Sequence, residues 1–251
     1  VRSYKGRGLH GQVVEAVGRR IVQGHYTDGL TLDMEELRRE HDVSLTVIRE
    51  TLKVLAAKGL VDARQRRGTF VLPRGRWNLL DPDILRWEIT AENLPGKLEQ
   101  LAEVRAIFEP AASALAATRR EENDISAIEA ALAAMEAAAD PEELTRADLD
   151  FHRAVLAATK NDLLGRVELV TRVLLAERDL LVHQHVATAD GLALHRSLFE
   201  SIAAGAPADA ARATERLLGQ ALADENASIT TSATGREAGT DAHSSKKAGR
   251  A

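Results

Sequence analysis

The residues best suited to chemistry lie in the second half of the chain, in the stretch ADLDFHRAVLAATKN at positions 147–161. Asp148 and His152 stand four apart, so a helix turns both to one side, where a carboxylate and an imidazole can share one ion. Phe151 and Val155 flank them and mark that side as the buried one. Asp150 falls about 160° from Asp148 at roughly 100° per residue and, beside Arg146 and Arg153, reads as an exposed helix charge. Further on, His195 shares a face with Leu198, Phe199 and Ile202. An acid and two imidazoles directed into one apolar interior make a candidate site for a divalent ion. A histidine among leucines is also met as a hydrogen-bonded core side chain, so spacing alone leaves both readings open. Arg105 lies on the apolar side of its own segment with Leu101, Val104, Phe108 and Ala112. An inward guanidinium needs an anion, and Glu109, one turn on, can supply it.

A second constellation sits near the start, in DVSLTVIRETLKVLAAKGL at positions 42–60. Ile48, Leu52 and Leu55 form one apolar face, while Thr46, Arg49 and Lys53 fall outside it. Ser44 suits the N-cap and Gly59 the position past the last turn. Such a helix packs on one side and leaves the other free to touch DNA. Arg49 can grip the O6 and N7 of guanine with two hydrogen bonds. Beyond it, Arg64, Arg66, Arg67, Arg74 and Arg76 occur in a span without an acid, which next to a recognition helix suits phosphate or minor-groove contact.

These two constellations need different scaffolds. Leu9, Val13, Val17 and Ile21 predict a helix over Leu9 to Gln23, stopped at Gly24. The Asp33-x-x-Glu36 pair opens a short helix to about Glu40. Leu60 to Arg64 and Thr69 to Leu72 predict two strands joined through Gln65 to Gly68 as a wing. Residues 73–89 hold both tryptophans, two prolines and little periodicity, and read as a linker rather than a core element, one whose aromatics pack it against the protein. Helical spacing then dominates: about Lys97 to Arg119, Asp124 to Ala139, Pro141 to Thr159, Leu163 to Val186, Leu192 to Ala204 and Ala208 to Asn226. Ala-rich faces allow close helix approach. The expected fold is therefore mainly α: a winged helix-turn-helix domain over 1–72, a linker over 73–89, and an antiparallel all-helical bundle of six or seven helices over 90–226. Residues 227–251 are polar and small, and read as a disordered tail.

Composition agrees. Residues 1–80 carry a net charge of +6 and the remainder −11, which suits a module that meets phosphates joined to one that does something else. Cysteine is absent, which excludes disulfides, thiolate-bound zinc and cysteine nucleophiles and leaves His and carboxylates as metal ligands. No run approaches the length of a membrane span and the N-terminus lacks a signal-peptide core, so no membrane partner and a cytoplasmic location are expected. A metal-dependent hydrolase or lyase would also use three ligands and an open position, but no HExxH is present and Asp150 points away from the site, so no general base is evident.

The order of helix, GHYTDGLTLDMEELRREHDVSLTVIRETLKVLAAKGLV and a wing ending RRGTFV resembles the GntR family of bacterial transcription regulators. The resemblance implies a homodimer on operator DNA, contacted from Arg38, Ser44, Leu45, Thr46, Arg49, Arg66, Arg67, Gly68 and Thr69. Two departures stand out: the family commonly places an arginine at the position of Leu45, and some members place one at Glu35. The second half is similar to the ligand-binding, FCD-type domain of the FadR subgroup, where Asp-x-x-x-His and two later histidines hold a metal, often zinc. Asp148, His152 and His195 match three of those positions; the fourth falls on Leu217 or Leu218, neither of which can ligate. The resemblance thus implies three ligands completed by water or effector, with His183, His185 and Gln220 as substitutes. It also places Arg105, in its E-x-R-x-x-x-E context with Glu109, in a pocket for a small carboxylate or sugar-acid effector. The expected function is a repressor of a catabolic operon released by such an acid. The leucine at the fourth position supports an alternative, a metal-free regulator sensing an acyl or other bulky ligand.

Overall fold

The computed structural model describes residues 8–90, 92–182 and 189–224. The chain divides into two compact units, 1–94 and 95–251.

In the first unit α1 (Leu9–Val22) and α3 (Leu45–Ala57) pack together, with α2 (Met34–Glu40) against α3. The inward residues of α1 are Val13, Val14, Val17 and Ile21, whereas Leu9 is exposed. The interior face thus begins one turn later than a strict four-residue repeat implies. Asp33 caps α2 by accepting from the amides of Glu35 and Glu36, and Ser44 caps α3 by accepting from Val47 at 3.3 Å. Gly59 ends α3 at φ 78°, in the left-handed region that a side chain disfavours, and a Cβ there would lie 2.5 Å from the Arg76 carbonyl oxygen. Strands β1 (Val61–Arg64) and β2 (Gly68–Val71) pair antiparallel, Val61 opposite Val71 and Arg64 opposite Gly68. Segment 30–32 lies along β2 through Val71 N to Leu30 O and Leu32 N to Thr69 O, which fixes the wing to the helices.

The linker expectation for 73–89 needs correction. After a single 3-10 turn at Arg74–Arg76, the segment forms α4 (Pro82–Glu88), capped by Asp81. Ile84 and Trp87 are fully buried in the core of the first unit. Trp87 packs onto α1 at Gly18, where a Cβ would meet the indole ring at 2.4 Å. Two inward apolar residues, Ile84 and Trp87, are too few for a helical period to show, while burying an indole removes a large apolar area from water. Ion pairs frame the contact: Arg86 forks onto both Glu15 carboxylate oxygens at 2.7 Å, and buried Lys58, the residue after α3, holds Asp81 at 2.9 Å and Asp83 at 2.8 Å.

The second unit is a bundle of six described helices: α5 (Leu94–Arg119), α6 (Glu122–Ala137), α7 (Pro141–Ala158), α8 (Asp162–Val182), α9 (Ala189–Ala203) and α10 over 207–224. Helix α7 starts where Asp140 accepts from the Glu143 amide and Pro141 occupies the first turn. Phe151, Leu144, Ile128, Leu198 and Ile202 fill the core, and Ala116, Ala117, Ala210 and Ala213 let α5 and α10 approach it closely. Among the described residues no helix is long and apolar enough to cross a membrane. The tail expected over 227–251, and His183 and His185, lie outside the described residues.

Candidate DNA face and metal centre

On the first unit, Ser44, Thr46 and Arg49 are exposed on α3, with Leu45 partly buried beside them. Arg66 and Gly68 form the wing tip, both at positive φ, and Thr69 follows on β2. Two of the expected contacts are tied within the protein. Arg67 stacks on Phe70, its Cζ 3.7 Å from the ring centroid, and donates to the Gly29 carbonyl at 3.0 Å. Arg38 Nε lies 2.8 Å from Glu35 Oε2, so the acid that stands at an arginine position of the family occupies the neighbouring cation. Among the other arginines of the run, Arg74 is engaged with Glu88.

In the second unit α7 brings Asp148 and His152 inward and α9 brings His195 to meet them, all three buried. One ligand atom from each lies within 4.8 Å of the others. His195 Nε2 is 3.0 Å from Asp148 Oδ1 and His152 Nε2 is 3.7 Å from Asp148 Oδ2. His195 Nδ1 lies 2.8 Å from the Gly191 carbonyl oxygen. A carbonyl only accepts, so Nδ1 is the donor to it, and this bond orients the ring with Nε2 toward Asp148. That nitrogen is buried without a hydrogen-bond partner despite its close approach to the carboxylate. Burial lowers the His152 pKa to about 4, against the opposing pull of Asp148 and Glu109, so the ring is neutral, as a metal ligand must be. The donor set of one carboxylate and two imidazoles thus fits a divalent ion of the zinc type.

Arg105 and Glu109 adjoin this centre. Arg105 Nε donates to Glu109 Oε1 at 2.6 Å, and its Nη2 lies 3.5 Å from His152 Nε2. Burial pushes the Glu109 carboxyl upward, but the Arg105 guanidinium outweighs it and holds the group below the ordinary carboxylate range. Asp150 pairs with Arg153 at 2.8 Å on the outer side, as its helix angle implied.

The substitute ligand Gln220 is overturned: it is exposed and donates to Asp224 at 2.7 Å, because the inner face of α10 runs through Ala210, Thr214 and Leu217. Leu217 is part of the core. What the sequence did not single out is Thr214, whose hydroxyl lies 2.7 Å from Ser113 Oγ and faces a small cavity shared with Glu109 and His152. A lone polar residue on the small-residue face of α10 was the available signal.

Comparison with known proteins follows the same division. Residues 9–71 match the family described as bacterial regulatory proteins, gntR family, and residues 100–220 match the FCD domain. The galactonate operon transcriptional repressor of Escherichia coli is 38% identical over 160 residues, 63% of this chain and 70% of that protein. The uncharacterized HTH-type transcriptional regulator YieP of the same organism is 33% identical over 156 residues, 61% of this chain and 68% of its own length. Among solved structures, that of Lar, which controls the expression of the Listeria monocytogenes agr system, superposes with a TM-score of 0.59 at 20% identity, covering 88% of this chain and 98% of that one. With a winged helix in its first unit and an FCD bundle in its second, the chain belongs to the GntR family and is a DNA-binding transcription regulator rather than an enzyme.

Proposed function

We propose that the protein is a cytoplasmic repressor whose second unit holds a divalent metal, zinc by donor type, on Asp148, His152 and His195, and whose operator affinity falls when a small organic or sugar acid binds beside that metal. The observation that carries the reading is the convergence of one ligand atom each from buried Asp148, His152 and His195 within 4.8 Å of one another, with His195 Nε2 3.0 Å from Asp148 Oδ1. A bound ion would act there as a Lewis acid with open positions for a carboxylate. Arg105, at 3.5 Å from His152, would receive the acid's other oxygen, and Glu109 keeps that guanidinium oriented. The similarity to a galactonate operon repressor supports an acid as the signal. A homodimer places two α3 helices on two half-sites, with Thr46 and Arg49 toward base edges and Arg66 toward the backbone. Arg67 then acts by holding the wing in shape. The acid shifts the balance only if it binds one arrangement of the bundle better than another.

The test is binding to a duplex that the protein selects from a random pool, measured with and without a panel of small carboxylates including D-galactonate. Weaker binding with one acid, lost in Asp148→Asn, supports the reading; equal affinity with every acid sinks it. Leu217, which fills the core where a fourth ligand is expected, favours a second reading, a metal-free sensor of a bulkier ligand. An acid response that survives chelator would select it.

A further inference from the structure

Two spaces flank the Arg105–Glu109 pair, one lined by Glu109 and the other by Arg105, and they differ in size by an order of magnitude. The cavity shared by Glu109, His152 and Thr214 measures about 20 Å³, room for about one water, since a water needs roughly 10–15 Å³. The groove between α5 and α10 measures about 240 Å³, larger than the roughly 150 Å³ cavity known to take up benzene. Its walls are mostly apolar, chiefly Leu98, Leu101, Leu218 and Leu222, with Arg105 and Glu215 the charged residues among them. Pro110 lies within α5 and lacks an N–H, so the Ala106 carbonyl receives no bond from it along the helix. Both residues line the groove.

We infer that the α5–α10 groove is the site for the body of the effector, and that the effector is a monocarboxylic acid carrying an alkyl or aryl substituent rather than a compact or fully hydroxylated one. The inference rests on the reading that Arg105 receives the carboxylate. The head group meets Arg105, whose Nη2 reaches to within 3.5 Å of His152 Nε2, and the substituent lies along Leu101 and Leu218. A polyhydroxylated chain placed there would leave hydroxyls facing leucines without partners. A hydrocarbon gains about fourfold in affinity for each methylene buried, from roughly 0.8 kcal/mol per group.

Gly219 offers a variant that tests the groove without disturbing the fold. It lines the groove, and a Cβ there meets nothing within 4 Å, so Gly219→Leu fills the space while favouring the helix. The full chain is titrated by calorimetry with acetate, butyrate, hexanoate, phenylacetate and D-galactonate, for the native sequence, Gly219→Leu and Arg105→Met. The expected result is affinity rising from acetate to hexanoate or phenylacetate, a loss of tenfold or more for those two in Gly219→Leu, and loss of all binding in Arg105→Met. Acetate or D-galactonate binding as tightly as the longer acids overturns the inference. So does unchanged affinity in Gly219→Leu, or a change of oligomeric state in that variant by sedimentation, which would mark the groove as a subunit contact. Acid binding unaffected by Arg105→Met fails the underlying reading instead.

Discussion

Single residues carry the two activities, and their neighbours decide which are free to act. Arg49 is exposed on α3, so Arg49→Ala is expected to weaken operator binding by about 1–3 kcal/mol and to relax preference at one base pair. Binding to duplexes varied at each position checks this; a uniform loss across all sequences would mean a phosphate contact. Arg67→Ala should act differently, because its guanidinium stacks on Phe70 and bonds Gly29. It should lower the stability of the wing as well as DNA affinity. The Asp148, His152 and His195 cluster was legible because four-residue spacing puts Asp148 and His152 on one face, and Leu198 and Ile202 put His195 inward. The engagements of Arg67 and Arg38 were less so, since a run of cations in sequence does not show which charges the fold has already matched. Thr214 was hidden for the same reason: its partner, Ser113, is on another helix.

Elements explain where the sequence misled. Helices α3 and α7 announce themselves through Ser44, Asp140 and Pro141, and their boundaries fall close to those expected. Helix α4 does not, because its two inward residues make no visible period, yet it closes the first core. Gly18 is the complementary sign, a glycine inside a helix whose missing side chain admits the Trp87 ring. Gly18→Ala should therefore destabilise the first unit by about 1–3 kcal/mol, the overpacking cost exceeding the gain of up to roughly 1 kcal/mol in helix propensity. Both tryptophans, Trp77 and Trp87, lie in that unit, so denaturant titration followed by tryptophan fluorescence reads it directly. A midpoint unchanged or raised would show that the ring can yield. The α5–α10 groove could not be read from sequence, because periodicity gives the faces of helices but not the gaps between them.

At the scale of the molecule, a basic unit and an acidic one are each stabilised by their own ion pairs. In the first, burial raises the Glu15 pKa, but hydrogen bonds from Arg86 and then Arg19 outweigh this and hold it at about 2, against 4.5 ordinarily. Because the folded value is the lower one, the unfolded chain binds the proton first. The pair's contribution is complete above pH 4.5 and is lost as pH falls through about 2. Tryptophan-detected stability of the first unit should decline over that window, and Glu15→Gln should flatten the slope; an equal slope in the variant would assign the decline to other carboxylates. The division into units was visible in the charge asymmetry, whereas the place of α4 within the first depended on packing. For the second unit the most direct measurement is its helical melting midpoint by circular dichroism, before and after chelation and with zinc restored, in the native sequence and in His195→Ala. A metal at one hundred times its dissociation constant adds about 2.7 kcal/mol, so chelation should lower the midpoint by several degrees, zinc should restore it, and His195→Ala should respond to neither. A native midpoint indifferent to chelator and zinc would contradict the account, leaving Asp148, His152 and His195 as a polar core without an ion.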